Sequence, residues 1–239
     1  MFRLFDFHVY NESQEESEDE TKHDNLSFCM QMFGINEQRE TCSIFVENFK
    51  PFFYVKVDDT WSKHTKEMFV EHVKKSVGGY YRESICDEEF VEHKKLYGFD
   101  GGRTHSFIKF VFTNTSVFNK VKNLWYSKEK HDANGEIIKD DRGYTVRNLL
   151  PTGYVFQGKS TYLYEANIPP LLRYFHIQNI SPSGWIEIPQ KYRRSHKKKT
   201  TCRHEFYIPS DKIIPLPEKD TMVSYKICSF DIEASSSHG

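Results

Sequence analysis

The sequence predicts an α+β fold rich in strands. Three observations lead there. Aromatic residues make up 15% of the chain, with 20 Phe and 14 Tyr, and these side chains favour strands. Short runs with period-two alternation recur along the chain, as half-buried strands require. A few stretches switch instead to helical spacing. With 239 residues, the chain is long enough for one large domain or two small ones and for a sizeable core.

The elements follow in order. Residues 2–10 place Phe5, Phe7 and Val9 at period two, as in a strand. An acidic block from Glu12 to Glu20 interrupts, and like charges at that density stay wet, so it reads as a hairpin loop. Residues 25–33, 42–49 and 52–57 are further strands. In the first of these Leu26, Phe28, Met30 and Met32 alternate with polar residues; in the last, Phe53, Val55 and Val57 alternate with Tyr54 and Lys56. Pro51 suits a strand start because it has no N–H to donate. This part reads as an antiparallel meander or small barrel. Residues 61–77 are helical, with Trp61, Met68, Phe69, Val73 and Val77 on one face and Gly78-Gly79 ending the run.

Residues 81–97 and 107–112 return to strand. Asn114 or Thr115 caps a helix over 116–128 with Val117, Val121, Leu124 and Trp125 inward. The polar stretch 129–144 is an exposed hairpin or loop. Residues 161–165 are extended. Pro169 and Pro170 open a helix that runs to about Gln178. A turn at Ser181–Gly184 leads to a strand at Trp185–Ile188, and another strand lies near Phe206–Ile208. Pro209, Pro215 and Pro217 form a stiff connector and the best domain boundary. Beyond it, Val223–Ile232 reads as a buried strand.

Net charge is −1, which excludes an overall-basic nucleic-acid binder. The charge is segregated, however: opposite the acidic block stands Lys191, Arg193, Arg194, Lys197, Lys198 and Lys199. These cations suit phosphate backbones, with Tyr192, Phe206 and Tyr207 near enough to stack on bases. A solvated loop is the plainer alternative. No apolar run reaches the ~18 residues of a membrane helix, so a soluble, intracellular protein is expected. The five cysteines are odd in number and show no C-x-x-C pair, so reduced thiols are expected. Cys202 and His204 lack a second pair at metal spacing.

Gly153–Ser160 fits the phosphate-loop pattern G-x-x-x-x-G-K-S letter for letter. The context argues against a nucleotide site there. A buried strand should precede it and a helix should begin at the lysine; Pro151 stands before it and the strand-favouring Thr161–Tyr164 after it. Bulky Tyr154, Val155 and Phe156 also occupy positions where small residues let amides reach phosphate.

The most informative pattern is Ser229-Phe230-Asp231-Ile232-Glu233. Side chains alternate along a strand, so Asp231 and Glu233 share one side. Two carboxylates that close repel unless a cation lies between them, and Mg²⁺ prefers such oxygen ligands. A pair of ions held this way serves phosphodiester cleavage. The bland alternative is a strand end dipping into solvent.

These residues resemble the first exonuclease motif of family B DNA polymerases. The resemblance extends upstream to Tyr164–Pro169, Leu172–Phe175 and Ile180–Ile186, to Phe49–Lys56, and to Leu96–Phe99 with Phe107–Lys109. It is nearest to the delta-like polymerases of large DNA viruses. It implies a β-rich N-terminal domain over 1–220, built of OB-like and RRM-like pieces beside the template strand. Residues 221–239 would then be the first strand of an RNase H-like α/β exonuclease domain.

By position, Asp231 would bridge two Mg²⁺ ions and Glu233 would bind one. The implied role is DNA replication with 3′→5′ proofreading, in the nucleus or a cytoplasmic viral replication site. DNA and deoxynucleotides would be substrates and a sliding clamp a processivity partner. By the resemblance, the family's remaining exonuclease motifs and its Tyr-Gly-Asp-Thr-Asp polymerase motif would lie beyond Gly239. The chain as given is therefore expected to have neither activity, and its last strand, lacking neighbours, to be poorly protected. The alternative is a single-stranded nucleic-acid-binding module without catalysis.

Overall fold

A computed structural model describes residues 1–13, 26–95, 98–128, 130, 132–141, 143, 145–194 and 196–231. The acidic block beyond Ser13, and Ile232–Gly239 with Glu233, lie outside the described residues.

The first sheet begins with β1 (Phe2–Ser13), β2 (Leu26–Ile35) and β3 (Thr41–Glu47), an antiparallel meander. Its core face carries Phe2, Leu4, Phe28, Met30, Met32, Cys42, Ile44 and Val46, all buried. A break in register between Leu4 and Asp6 shifts the alternation expected for β1. Phe2 and Leu4 are the buried residues, whereas Phe5 and Val9 are exposed. An extra residue in one strand moves every following side chain to the other face.

The second sheet is built from β4 (Phe52–Lys56), α1 (Lys63–Ser76), a one-turn helix α2 (Gly79–Arg82), β5 (Ile85–Lys94), β6 (Thr104–Phe112), α3 (Thr115–Lys122), β7 (Tyr154–Phe156) and β8 (Lys159–Tyr164). Its strands lie in the order β5-β6-β4-β8-β7. Leaving aside α2 and β7, the run is β-α-β-β-α-β with the first and third strands central, a recurrent split βαβ arrangement. Helices α1 and α3 cover one face. Phe53, Val55, Ile108, Phe110 and Phe112 from the strands meet Phe69, Val70, Val73, Val117, Phe118 and Val121 from the helices.

Local chemistry sets the helix starts. Ser62 caps α1 by accepting from the Thr65 N–H, and Asn114 caps α3 by accepting from the Val117 N–H at 3.0 Å. Met68, expected on the inner face of α1, is exposed, and Val70 takes that place. Trp125 lies past the end of α3 in a 3-10 turn and is fully buried; its indole N–H is satisfied by Thr161 at 3.1 Å.

The chain then returns to the first sheet through α4 (Pro170–Gln178), β9 (Trp185–Glu187), β10 (His204–Pro209) and β11 (Ile214–Leu216). Pro170 stands in the first turn of α4, where a missing N–H costs nothing. Tyr174 and Phe175 of α4 close the core of this sheet. Strand β10 pairs with β3 in parallel, giving the order β10-β3-β2-β1-β9-β11.

The expected proline connector is part of this sheet. Pro209 ends β10, and Pro215 stands opposite Ile186 in the β9–β11 ladder. Proline is tolerated there because β11 is an edge strand. The strand expected at Val223–Ile232 is absent over its described part: residues 223–231 have no regular structure. Val223 is buried beside Ile35 and Trp185, but Ile227 and Phe230 are 90% and 79% exposed. A strand exists through its hydrogen-bonded partner, and among the described residues no strand pairs with this segment. No helix among the described residues is long and apolar enough to cross a membrane.

Candidate nucleic-acid interface

The basic block is a loop held against β10. A 3-10 turn at Gln190–Tyr192 leads into it, and Arg193 forms an isolated bridge with Phe206. Lys191, Arg193, Arg194, Lys197, Lys198 and Lys199 are all exposed. Arg203 and His204 are drawn to Glu40, the histidine Nε2 lying 2.7 Å from its carboxylate. Lys199 lies 3.4 Å from Glu12. Among the described residues, Lys191, Arg193, Arg194, Lys197 and Lys198 make no ion pair.

What shapes the loop is Glu205, a fully buried residue of β10. Its carboxylate accepts from the Lys199 N–H at 3.0 Å, the Thr200 N–H at 2.9 Å and the Thr200 hydroxyl at 2.9 Å. Its backbone carbonyl accepts from the Arg194 N–H at 2.8 Å. A buried carboxylate needs such donors. Burial pushes the Glu205 carboxyl up, but the amides of Lys199 and Thr200 and the Thr200 hydroxyl pull it down further. The net position is below the ordinary value. Its contribution to stability is therefore present above the unfolded carboxylate pKa of about 4.3 and lost as pH falls through the lower folded value. In urea unfolding, the stability gap between the wild-type chain and Glu205→Gln is expected to hold above about pH 5 and narrow under acid. A gap that widens under acid would contradict this.

The sheet below the loop supplies rings. Phe45 of β3 and Tyr207 of β10 are cross-strand neighbours, stacked at 4.6 Å and 17°. The Arg194 guanidinium lies 4.0 Å above the Tyr207 ring, and the Lys199 ammonium 5.9 Å from Phe45. Of the rings expected to meet bases, Tyr207 is on this outer face. Phe206 is fully buried in the core, because neighbours along a strand point to opposite faces. Tyr192 packs against the core with Lys191 5.0 Å over its ring.

Residue-by-residue reading of the sequence missed a second aromatic surface. The face of the second sheet opposite α1 and α3 carries Phe52 and Tyr54 of β4, Phe107 of β6, and Tyr162 and Tyr164 of β8. Arg173 of α4 is 94% buried by its neighbours (6% exposed) and lies 4.5 Å over Phe52, anchored to Glu165 at 2.6 Å. The signal was present in the alternation of β4 and β8, but only strand order brings these rings onto one face.

The phosphate-loop look-alike is a β-hairpin: β7, a Gln157-Gly158 turn, and β8. Gln157 and Gly158 have φ of 48° and 74°, as a two-residue hairpin turn demands. A Cβ on Gly153 would sit 2.2 Å from the Thr161 carbonyl. Both glycines thus answer to the hairpin. Lys159 pairs with Asp58 at 3.0 Å. The Asp58 carboxyl is held at about 2 by the Thr60 hydroxyl and N–H, with Lys159 adding to them.

Asp231 is exposed and outside regular structure, and Glu233 lies outside the described residues. Among the described residues no cluster of three or more His, Cys, Asp or Glu side chains could hold a metal ion. The Asp-x-Glu pattern reaches past the described residues, which end at Asp231.

Comparison with known proteins bears on this surface. The chain is 46% identical to a DNA polymerase of Phaeocystis pouchetii virus over 244 aligned positions, which cover 100% of this chain and 22% of the relative. Residues 161–239 match the family model described as DNA polymerase family B, exonuclease domain. The chain belongs to the family B DNA polymerases. Further DNA polymerases are similar to it. A DNA polymerase of Acanthamoeba polyphaga mimivirus is 27% identical over 98% of this chain and 12% of its own. The DNA polymerase delta catalytic subunit of Schizosaccharomyces pombe is 28% identical over 88% and 18%. A solved family B DNA polymerase from the archaeon Pyrobaculum calidifontis aligns with 89% of this chain and 20% of its own, with a TM-score of 0.49 and 14% identity. The chain thus spans about a fifth or less of the family B relatives named. Its exonuclease-model match includes Thr161–Tyr164 of β8, α4, the basic loop and the Asp231–Glu233 motif.

Proposed function

We propose that this chain is the amino-terminal part of a proofreading replicative DNA polymerase, with DNA and deoxynucleotides as substrates of the whole protein. The observation that carries the reading is similarity over the whole chain to a viral DNA polymerase, 46% identical, in a chain whose matched exonuclease region includes Asp231 and Glu233. In this reading residues 1–220 form the N-terminal domain and 221–239 open the exonuclease domain. Asp231 and Glu233 would hold divalent cations, Mg²⁺ by their hard oxygen chemistry, once further ligands complete the site. The basic loop from Lys191 to Lys199 contacts DNA phosphates.

Sequencing the source DNA past codon 239 tests the reading. An open frame that runs into Asn-x-x-x-Phe-Asp, Tyr-x-x-x-Asp and Tyr-Gly-Asp-Thr-Asp supports it. A stop codon directly after Gly239 overturns it and favours the single-strand-binding module, for which the two aromatic surfaces speak.

The 239-residue chain by itself is expected to extend no primer and degrade no single-stranded DNA in the presence of Mg²⁺. Two carboxylates without the other ligands and a general base cannot build a two-metal centre. Mg²⁺-dependent release of nucleotides by the pure chain, abolished by Asp231→Ala, would refute that expectation.

A further inference from the structure

We infer that the loop from Arg193 to Arg203 is a preformed clamp for single-stranded nucleic acid, and that Glu205 is its positioning residue. The inference rests on the reading that the basic loop touches nucleic acid, and it adds how the loop is held and what it selects.

A lysine-rich loop in solvent would spread its charges and would lose much conformational freedom on binding. This loop is already tied down. Four hydrogen bonds from Arg194, Lys199 and Thr200 converge on the carbonyl and carboxylate of one buried residue, Glu205. Lys198 donates to the Cys202 carbonyl at 2.8 Å, and Lys197 turns the chain at φ 53°. The fixed backbone leaves Arg193, Arg194, Lys197 and Lys198 exposed, and among the described residues without an ion pair.

The loop has a stacking end as well as a charged one. Arg194, Tyr207 and Phe45 form a column, guanidinium over phenol at 4.0 Å and phenol beside phenyl at 4.6 Å. Arg194 is exposed, so the outer face of its guanidinium plane is open to a further flat group. Unpaired bases stack on arginine planes and aromatic rings, whereas duplex bases are already stacked on one another. Cations for phosphates beside an open plane for a base select a single strand over a duplex.

The role of Glu205 makes a prediction of unusual sign. Removing a negative charge from beneath a basic loop should strengthen phosphate binding if charge alone matters. If Glu205 positions the loop, Glu205→Gln should weaken it.

The test is fluorescence anisotropy of the full chain with oligothymidylate of about 20 nucleotides, longer than the ~4–16 nucleotides such sheets cover. Salt is varied from about 50 to 200 mM. The wild-type chain should bind with a log–log salt slope of about −3, as four phosphate contacts on a single strand imply. A duplex of the same length should bind more weakly. Arg194→Ala should lower affinity about fivefold or more and make the slope shallower by about 0.7. Glu205→Gln should lower affinity about fivefold or more despite its more positive charge, as the loss of a fixed geometry does.

A folded Glu205→Gln variant that binds as tightly as wild type, or more tightly, overturns the positioning role. Duplex binding equal to single-strand binding overturns the clamp. If Glu205→Gln does not fold, Thr200→Val decides: it removes one donor to the carboxylate and leaves β10 intact, and unchanged affinity overturns the positioning role. If the wild-type chain binds no oligonucleotide, the clamp and the basic-loop reading both fall, while the family assignment stands.

Discussion

Replacing Asp231 or Glu233 with alanine, in the longer polymerase proposed above, is expected to cut 3′→5′ degradation of single-stranded DNA by more than about a hundredfold. The size follows from where the carboxylates would act. Loss of groups that merely orient a metal ligand costs about 10- to 100-fold, and a ligand itself should cost no less. The two side chains stand two residues apart, so in an extended strand they face one way. Single substitutions should therefore be nearly as damaging as the pair, because either loss leaves one carboxylate where two are needed. On the proposed reading primer extension does not use these carboxylates and should be unchanged, which would also show that the variant folds. The measurement is digestion of a labelled single strand beside extension of a primed template. Degradation that survives in the double variant would remove Asp231 and Glu233 from the exonuclease site.

Phe53→Ala is expected to destabilise the chain by about 3–5 kcal/mol, the range for removing a buried aromatic ring. Phe53, the second residue of β4, is fully buried. Its ring lies 5.0 Å from Phe112, 5.1 Å from Phe118, 6.2 Å from Phe110 and 6.5 Å from Trp125. No single neighbour can close the gap its loss leaves, and the total stability of a domain is only about 5–15 kcal/mol.

The adjacent Phe52 is the internal control. It faces the other side of the sheet, half-buried beneath Arg173, where a cation–π contact contributes about 0.5–2 kcal/mol. Urea unfolding of the two variants side by side tests the strand register, since a slip by one residue would exchange their roles. A loss for Phe53→Ala no larger than the ~0.5 kcal/mol of ordinary surface changes would mean that β4 does not sit as described.

Most elements were legible in the sequence where local chemistry dictates them. Period-two runs became β1 to β4 and β6. The cap at Asn114, the Pro169-Pro170 start of α4 and the turn at Ser181–Gly184 all rest on interactions a few residues apart. So does the hairpin at the phosphate-loop pattern, where Gly153 and Gly158 serve a turn whose second strand was readable and whose first, Tyr154–Phe156, was not.

The misplacements share a cause. Phe5 was left outward by a register break against β2, beyond which Phe7 packs on the core opposite Met32. The prolines after β10 were absorbed by pairing with β9. Residues 223–231 formed no strand because, among the described residues, no strand pairs with them. In each case the deciding contact is distant along the chain.

The candidate site divides the same way. The basic block and the Asp231–Glu233 pair stand in the sequence as plain charge patterns, and the resemblance to family B DNA polymerases rests on motifs read in order. That Glu205 lies beneath the block and organises it, and that Arg194 covers Tyr207 where it stacks on Phe45, follow only from the parallel pairing of β10 with β3. The aromatic face of the second sheet likewise depends on β8 joining the far side of β4. The sequence by itself determined the family, the kinds of element and the charges available. The tertiary structure alone decided which of them meet, because strand pairing joins residues more than a hundred positions apart and local spacing carries no record of that partner.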